Sequence, residues 1–194
     1  MANIFAPGGY ELATKNMIPG NGINLLDGTK DLSTFDFVIS GNGGKDNDSN
    51  GRTNLTQTKV MHAWTGLPDL SIKKANIKYT QALCLVPGVY TLSFLAWNNI
   101  DSSDQSFYLY AYSDSITLGK SNKKVAKQAD LLKIVFSIDK VSQINLIIGN
   151  NSSDTLLNGS IWYANLKLEA GVNPTPWSES PVDQIQELKS SLSK

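Results

Sequence analysis

The chain of 194 residues is poor in the groups on which most chemistry relies: one cysteine, one histidine, one arginine and four glutamates. The single cysteine, Cys84, excludes an internal disulfide framework. Its apolar setting, Leu83-Cys84-Leu85-Val86, predicts a buried and inert thiol. With Arg52 the only guanidinium, dense bidentate reading of phosphates is excluded. The 17 Lys+Arg balance 17 Asp+Glu, so no basic excess exists to hold nucleic acid. Apolar runs such as Leu83–Val86 and Leu146–Ile148 fall far short of the roughly 20 residues that span a bilayer. The opening Met1–Gly8 lacks the basic start and apolar core of a secretory signal. Neither nucleic acid nor membrane is therefore an expected partner.

Catalytic constellations are equally scarce. His62 sits in a strand-like run beside Trp64, and no Gly-x-Ser-x-Gly elbow occurs. A Cys84–His62 pair is the one nucleophilic arrangement left open. Metal spacings of the Cys-x-x-Cys or His-Glu-x-x-His kind are absent. Glycoside hydrolysis needs two carboxyl groups about 5–10 Å apart, and Glu11, Glu169, Glu179 and Glu187 lie in no such context. Asp101 and Asp104 read as turn formers in a Ser-rich loop. Asp46 and Asp48 resemble part of a calcium loop without its full spacing. The expectation is a protein that is not an enzyme and requires no cofactor.

What the chain does have is small polar side chains, 18 Asn, 21 Ser and 12 Thr, and short strand-like runs. Period-two alternation over Tyr90–Trp97 puts Tyr90, Leu92, Phe94 and Ala96 on one face. Ser106–Tyr112 sets Phe107, Leu109 and Ala111 against Tyr108, Tyr110 and Tyr112. Further runs are 35–39, 59–64, 77–83, 134–138, 144–148 and 161–169, separated by Gly, Asn, Asp and Ser clusters. With no long helical period among them, they predict an all-β, antiparallel jelly-roll sandwich. Residues 1–22, with turn chemistry at Pro7-Gly8-Gly9 and Pro19-Gly20, read as an arm or linker, and 23–180 as the sandwich. The stretch 40–51 has no apolar residue and reads as an exposed, mobile loop. Residues 118–130 read as a Lys-rich loop.

Residues 181–194 change character. Ser180-Pro181-Val182-Asp183 is a helix start, and Ile185, Leu188 and Leu192 then follow at seam spacing. A helix this short is not stable alone, so it either packs on the sandwich or associates with copies of itself. Self-association is favoured, as a homo-oligomer and preferably a trimer. A chain that stops at Lys194, just past this start, has the look of a fragment of a longer one.

The tyrosine row is the strongest local signal. Rings at i, i+2 and i+4 stand on one face of a strand whose other face is apolar. Such a ladder either stacks on sugar rings or merely covers a neighbouring sheet, because aromatics favour strands. Trp97, opposite the Tyr90/Phe94 face and followed by Asn98 and Asn99, is a second candidate contact. His62 and Trp64 share a face and serve equally as contacts or as core-edge packing. Trp162, alternating with Ala164, Leu166 and Leu168, reads as core. Arg52 is a candidate clamp for an anion or an ordinary solvated side chain.

The closing run Asn165-Leu166-Lys167-Leu168-Glu169-Ala170-Gly171-Val172-Asn173-Pro174-Thr175-Pro176-Trp177-Ser178-Glu179-Ser180-Pro181-Val182-Asp183 resembles a recurrent ending. It is similar to the terminus of jelly-roll modules in tail and baseplate proteins of phages that infect Gram-positive bacteria. Asn24–Thr29 and Pro87–Ala96 fit the same family in the expected order, and together these segments bracket residues 23–183. The resemblance implies a fold like that of galactose-binding-type carbohydrate-binding modules, carried on virions made in the host cytoplasm. It implies binding of host cell-wall saccharide by a concave sheet or edge loops, alongside other tail or baseplate proteins. It makes Trp177 a packing residue. It also allows a structural calcium ion near the end of the last strand, where Glu169 is present but Asn165 stands in place of the usual Asp. The alternative is a structural adaptor of the baseplate that contacts tail proteins without binding sugar. A neutral, amide-rich chain favours a neutral polyhydroxylated ligand over teichoic-acid phosphate.

Overall fold

The computed structural model describes residues 22–38, 42–46, 56–64, 76–98, 109–114, 116–122, 129–149 and 160–193. The first five strands are β1 (Phe35–Val38), β2 (Asn42–Asp46), β3 (Val60–Trp64), β4 (Asn76–Tyr79) and β5 (Leu83–Leu85). They are followed by β6 (Gly88–Asn98), β7 (Tyr110–Ser113), β8 (Ile116–Lys120), β9 (Asp130–Ile138), β10 (Ser142–Ile144), β11 (Leu146–Gly149) and β12 (Ser160–Ala170). One helix, α1 (Pro181–Leu192), closes the described chain. Two five-stranded sheets, β1-β4-β11-β7-β8 and β2-β3-β12-β6-β9, enclose the core, and β10-β5 forms a two-stranded ribbon. The pairings are antiparallel, as the alternating pattern predicts for a jelly-roll sandwich.

The core takes one side of each sheet. Phe35, Ile77, Leu109, Ala111, Leu146 and Ile148 face Met61, Leu92, Phe94, Ile134, Leu166 and Leu168 in one continuous cluster. The Tyr90, Leu92, Phe94, Ala96 face lies in it, as the alternation requires. A second cluster, Val60, Trp97, Trp162 and Ala164, covers the other side of the β3-β12-β6 sheet. That sheet is therefore apolar on both faces over part of its width, and strict in/out alternation does not describe it.

Four expectations need correction. Residues 42–46 are not a free loop: they form β2, paired with β3 from Asn42↔Trp64 to Asp46↔Val60. Backbone pairing with β3 defines this edge strand, and such hydrogen bonds carry no hydrophobic signature. The run 144–148 is not one strand. Ile144 pairs with Leu83 in the ribbon, whereas Leu146–Gly149 pair with β7 in the large sheet, so the chain changes sheet at Asn145. Cys84 is exposed, because in β5 only Leu83 and Leu85 face the core. The expected Lys-rich loop also begins later, since Ile116–Lys120 form β8.

Candidate functional site

Strand β7 carries the tyrosine row. Leu109 and Ala111 enter the core, so Tyr110 and Tyr112 stand half-buried on the outer face. Their ring centroids are 5.9 Å apart with planes 24° from parallel, and Lys120 Nζ lies 5.7 Å from the Tyr110 centroid. A cation over the ring face is attracted by its quadrupole. Tyr108 lies outside the described residues, as do Asn99 and Arg52. The register continues the surface: Asp36 stands opposite Lys78, Lys78 opposite Ile147, Ile147 opposite Tyr112 and Tyr112 opposite Thr117. At a strand spacing of about 4.8 Å this row crosses roughly 19 Å of sheet. With Tyr110 two residues further along β7, two aromatic rings stand among hydroxyl, ammonium and carboxylate groups, a combination suited to a flat polyhydroxylated ligand.

The second candidate contact is elsewhere and is buried. His62, Trp162 and Trp97 face one another across β3, β12 and β6. His62 and Trp162 stack at 4.3 Å and 12°, Trp162 and Trp97 at 6.4 Å and 1°. Trp97 does point away from the main core, but its exposure is 0%. The outward-Trp assignment is thus corrected: the second apolar cluster covers the indole, and it cannot meet a ligand at the surface. Trp162 is buried as read, yet in that cluster, separate from Leu166 and Leu168. Its Nε1–H and the Tyr163 hydroxyl find no hydrogen-bond partner among the described residues. Burial pushes the Tyr163 phenol well up from its usual pKa. The backbones of Trp64 and Asn98 end β3 and β6; their side chains lie outside the described part of the structure. His62 on β3 stacks on Trp162, whereas Cys84 is exposed on the separate β5-β10 ribbon.

The reason that Trp162 departs from Leu166 is a β-bulge. The β12–β6 register shifts between Ala164 and Lys167, and Asn165 adopts φ +56°. Asn tolerates this left-handed backbone better than most residues. Its N–H donates to Thr58 Oγ1 at 2.9 Å and its Oδ1 accepts the Gln57 N–H at 2.9 Å. Beyond the bulge Leu166 and Leu168 enter the main core, while Lys167 and Glu169 go to the other face, both buried at 1%.

That placement also settles how Glu169 is used. Its carboxylate accepts the Thr175 N–H and hydroxyl at 2.7 Å each, and Lys167 Nζ stands 3.7 Å away. Lys167 donates in turn to Thr175 Oγ1 at 2.6 Å and to the Pro176 carbonyl at 2.7 Å. Burial lowers the Lys167 pKa, against the pull of Glu169. Glu169 as a calcium ligand is therefore corrected: the residues present do not fit the ion. A lysine ammonium already matches the carboxylate, and Asn165 is spent on backbone and hydroxyl donors. Among the described residues no group of three or more His, Cys, Asp or Glu converges on a metal position.

Around it, the two ends of the described chain interlock. Asn24 donates to the Leu166 and Ser178 carbonyls at 3.3 and 3.0 Å and accepts the Leu168 N–H at 3.2 Å. Trp177 is half-buried and donates to Thr29 at 3.2 Å, a packing role. The recurrent terminal motifs thus close the sandwich, and sequence reading missed Lys167, Thr175 and Asn24 as the groups that do so. Two motifs near opposite ends of a chain were the only available signal.

No protein-family model matches the sequence, and no curated protein matches it. Among solved structures, the chain is similar to an arabinose-bound GH51 α-L-arabinofuranosidase, at 10% identity and TM-score 0.55. The match covers 77% of this chain and 27% of that one. It is also similar to the enzymatically active domain of tailspike protein 4 of bacteriophage CBA120, at 12% identity and TM-score 0.51, over 77% of this chain and 22% of the other. The tripod from the baseplate of bacteriophage Tuc2009 follows, at 13% identity and TM-score 0.47, over 84% of this chain and 60% of the other. This chain therefore spans only about a quarter of the length of the first two. At identities this low the shared property is the fold, an antiparallel jelly-roll sandwich.

Proposed function

We propose that the chain is a non-catalytic saccharide-binding module of a phage tail or baseplate protein, adhering to host cell-wall polysaccharide. The observation that carries this reading is the stacked Tyr110–Tyr112 pair on the outer face of β7. Sugar rings offer apolar C–H faces to aromatic planes, while Thr117, Lys78 and Asp36 along the same cross-strand row supply hydrogen bonds to hydroxyls. Lys120 and Lys78 add local positive charge, so weakly acidic saccharides join neutral ones as ligands.

The test is binding of purified host cell walls and their soluble oligosaccharides to wild type and Tyr110→Ala. The variant should lose at least about tenfold in affinity, on the order of 1.4 kcal/mol, with a thermal midpoint within a few degrees of wild type. Equal binding by both would remove the tyrosine pair, and no binding by either would remove the saccharide reading. The adaptor reading is favoured by a different surface. Val89, Leu131 and Val135 are exposed on β6 and β9, at 38, 52 and 39%, apolar side chains around Lys133 that another protein can cover.

A further inference from the structure

Helix α1 is attached to the sandwich by its polar side. Ser180 caps it, accepting the Asp183 N–H at 3.1 Å. Both oxygens of Asp183 accept the Gly28 N–H, at 3.0 and 2.9 Å. Lys30 Nζ holds Glu187 and Glu179 at 2.6 Å each. Asp183 and Glu187 are four residues apart and share one helix face, which is the face turned to the sandwich. At about 100° per residue, Leu188, Leu192 and Ile185 stand roughly 140°, 180° and 200° around from Asp183. The apolar stripe thus points directly away from the protein to which the helix is fixed. Ile185, Leu188 and Leu192 are 50, 64 and 88% exposed, and no residue of α1 is buried. A helix that covers a core has the opposite orientation.

We propose that this outward stripe is the seam of a coiled-coil contact between copies of this chain. The spacing of three and then four residues, with Ile and Leu as knobs, is the a–d–a repeat of such a seam. The charge pattern selects a second copy as the occupant. Glu179, Asp183 and Glu187 would repel one another between copies, but all three are engaged by their own sandwich. The flanking positions Gln184, Lys189 and Ser191 carry one charge among them, so identical helices meet without like-charge pairs and without the charged flanks that choose an unlike partner. The clamp also holds each sandwich on the far side of its helix, leaving the seam sterically clear. This contact is independent of saccharide binding.

Sedimentation equilibrium of the full chain over a concentration series tests it, alongside Leu188→Ser and the thermal melt of both proteins. The expected result is a wild-type mass that rises above the monomer with concentration. Leu188→Ser should weaken the association at least tenfold while the melt stays unchanged, as befits an exposed position. A wild type that stays monomeric throughout the series, or an association that survives Leu188→Ser, overturns the proposal.

Discussion

At the residue scale, the closure of the sandwich places two carboxyl groups close together around the helix cap. Asp27 accepts a hydrogen bond from Ser180, whose oxygen also caps α1. Its pKa lies above the usual 3.8, chiefly through burial and further through the charge of Asp183, with the Ser180 bond opposing both. A carboxyl group that holds its proton more tightly when folded stabilises the fold most below the unfolded pKa, and this contribution is lost as pH rises through the folded value. Asp27→Asn keeps the acceptor for Ser180 and removes the charge. Its melting temperature should exceed that of wild type at pH 7, and the difference should close as the pH falls toward 3. A variant less stable than wild type at pH 7 would show that the Asp27 charge is an asset. Such roles were not legible in the sequence, where Asp27 and Asp183 are 156 positions apart. Trp97 shows the same limit: alternation identified its face correctly, but whether anything covers that face depends on distant segments.

At the element scale, strands were legible where a period-two apolar face meets the main core, as in β6, β7 and β9. They were not legible in β2, whose Asn42-Gly43-Gly44-Lys45-Asp46 carries no apolar pattern, nor across the bulge of β12. A single residue added to a strand reverses every side chain beyond it, so Trp162 and Leu168 share a parity yet occupy different clusters. Close approach of elements matters as much as pattern. In β8, at the edge of one sheet, a Cβ on Gly119 would lie 2.8 Å from Ile134 Cγ2 and 3.0 Å from the Val135 carbonyl oxygen on β9, at the edge of the other. The glycine lets the two sheet edges meet. Gly119→Val should therefore destabilise by about 1–3 kcal/mol, seen as a lower urea midpoint at unchanged slope. An unchanged midpoint would mean that β8 can move away at no cost.

For the whole molecule, the fold sets the stacked Tyr110–Tyr112 pair on one sheet and an outward-facing apolar stripe on a clamped helix. If copies join through the seam, several tyrosine faces reach one polysaccharide surface, and the linked sites bind more tightly without any new contact. Leu188→Ser should then lower retention on intact cell walls by about tenfold or more, while its affinity for a soluble oligosaccharide matches wild type. Equal retention of the two proteins on walls would show that adhesion is monovalent. Such a surface needs no net charge, and the balance of 17 cations and 17 anions hides a local arrangement in which Lys78 and Lys120 flank the tyrosines and Glu179 and Glu187 hold Lys30.

Fold class and the helix start were written in local patterns: alternation with period two, turn residues between runs, and a Ser-Pro pair before a three-and-four apolar spacing. Each of these acts between neighbours in the chain, so a linear reading captures it. The direction in which the helix faces, the burial of Trp97, the exposure of Cys84 and the pairing of Glu169 with Lys167 and Thr175 depend on which distant segments meet. Contacts of β12 and the 22–34 segment with the C-terminal run settled the helix and Glu169, the β3-β12-β6 cluster settled Trp97 and the β5-β10 ribbon settled Cys84, because desolvation and contact act through space and leave no spacing in the sequence.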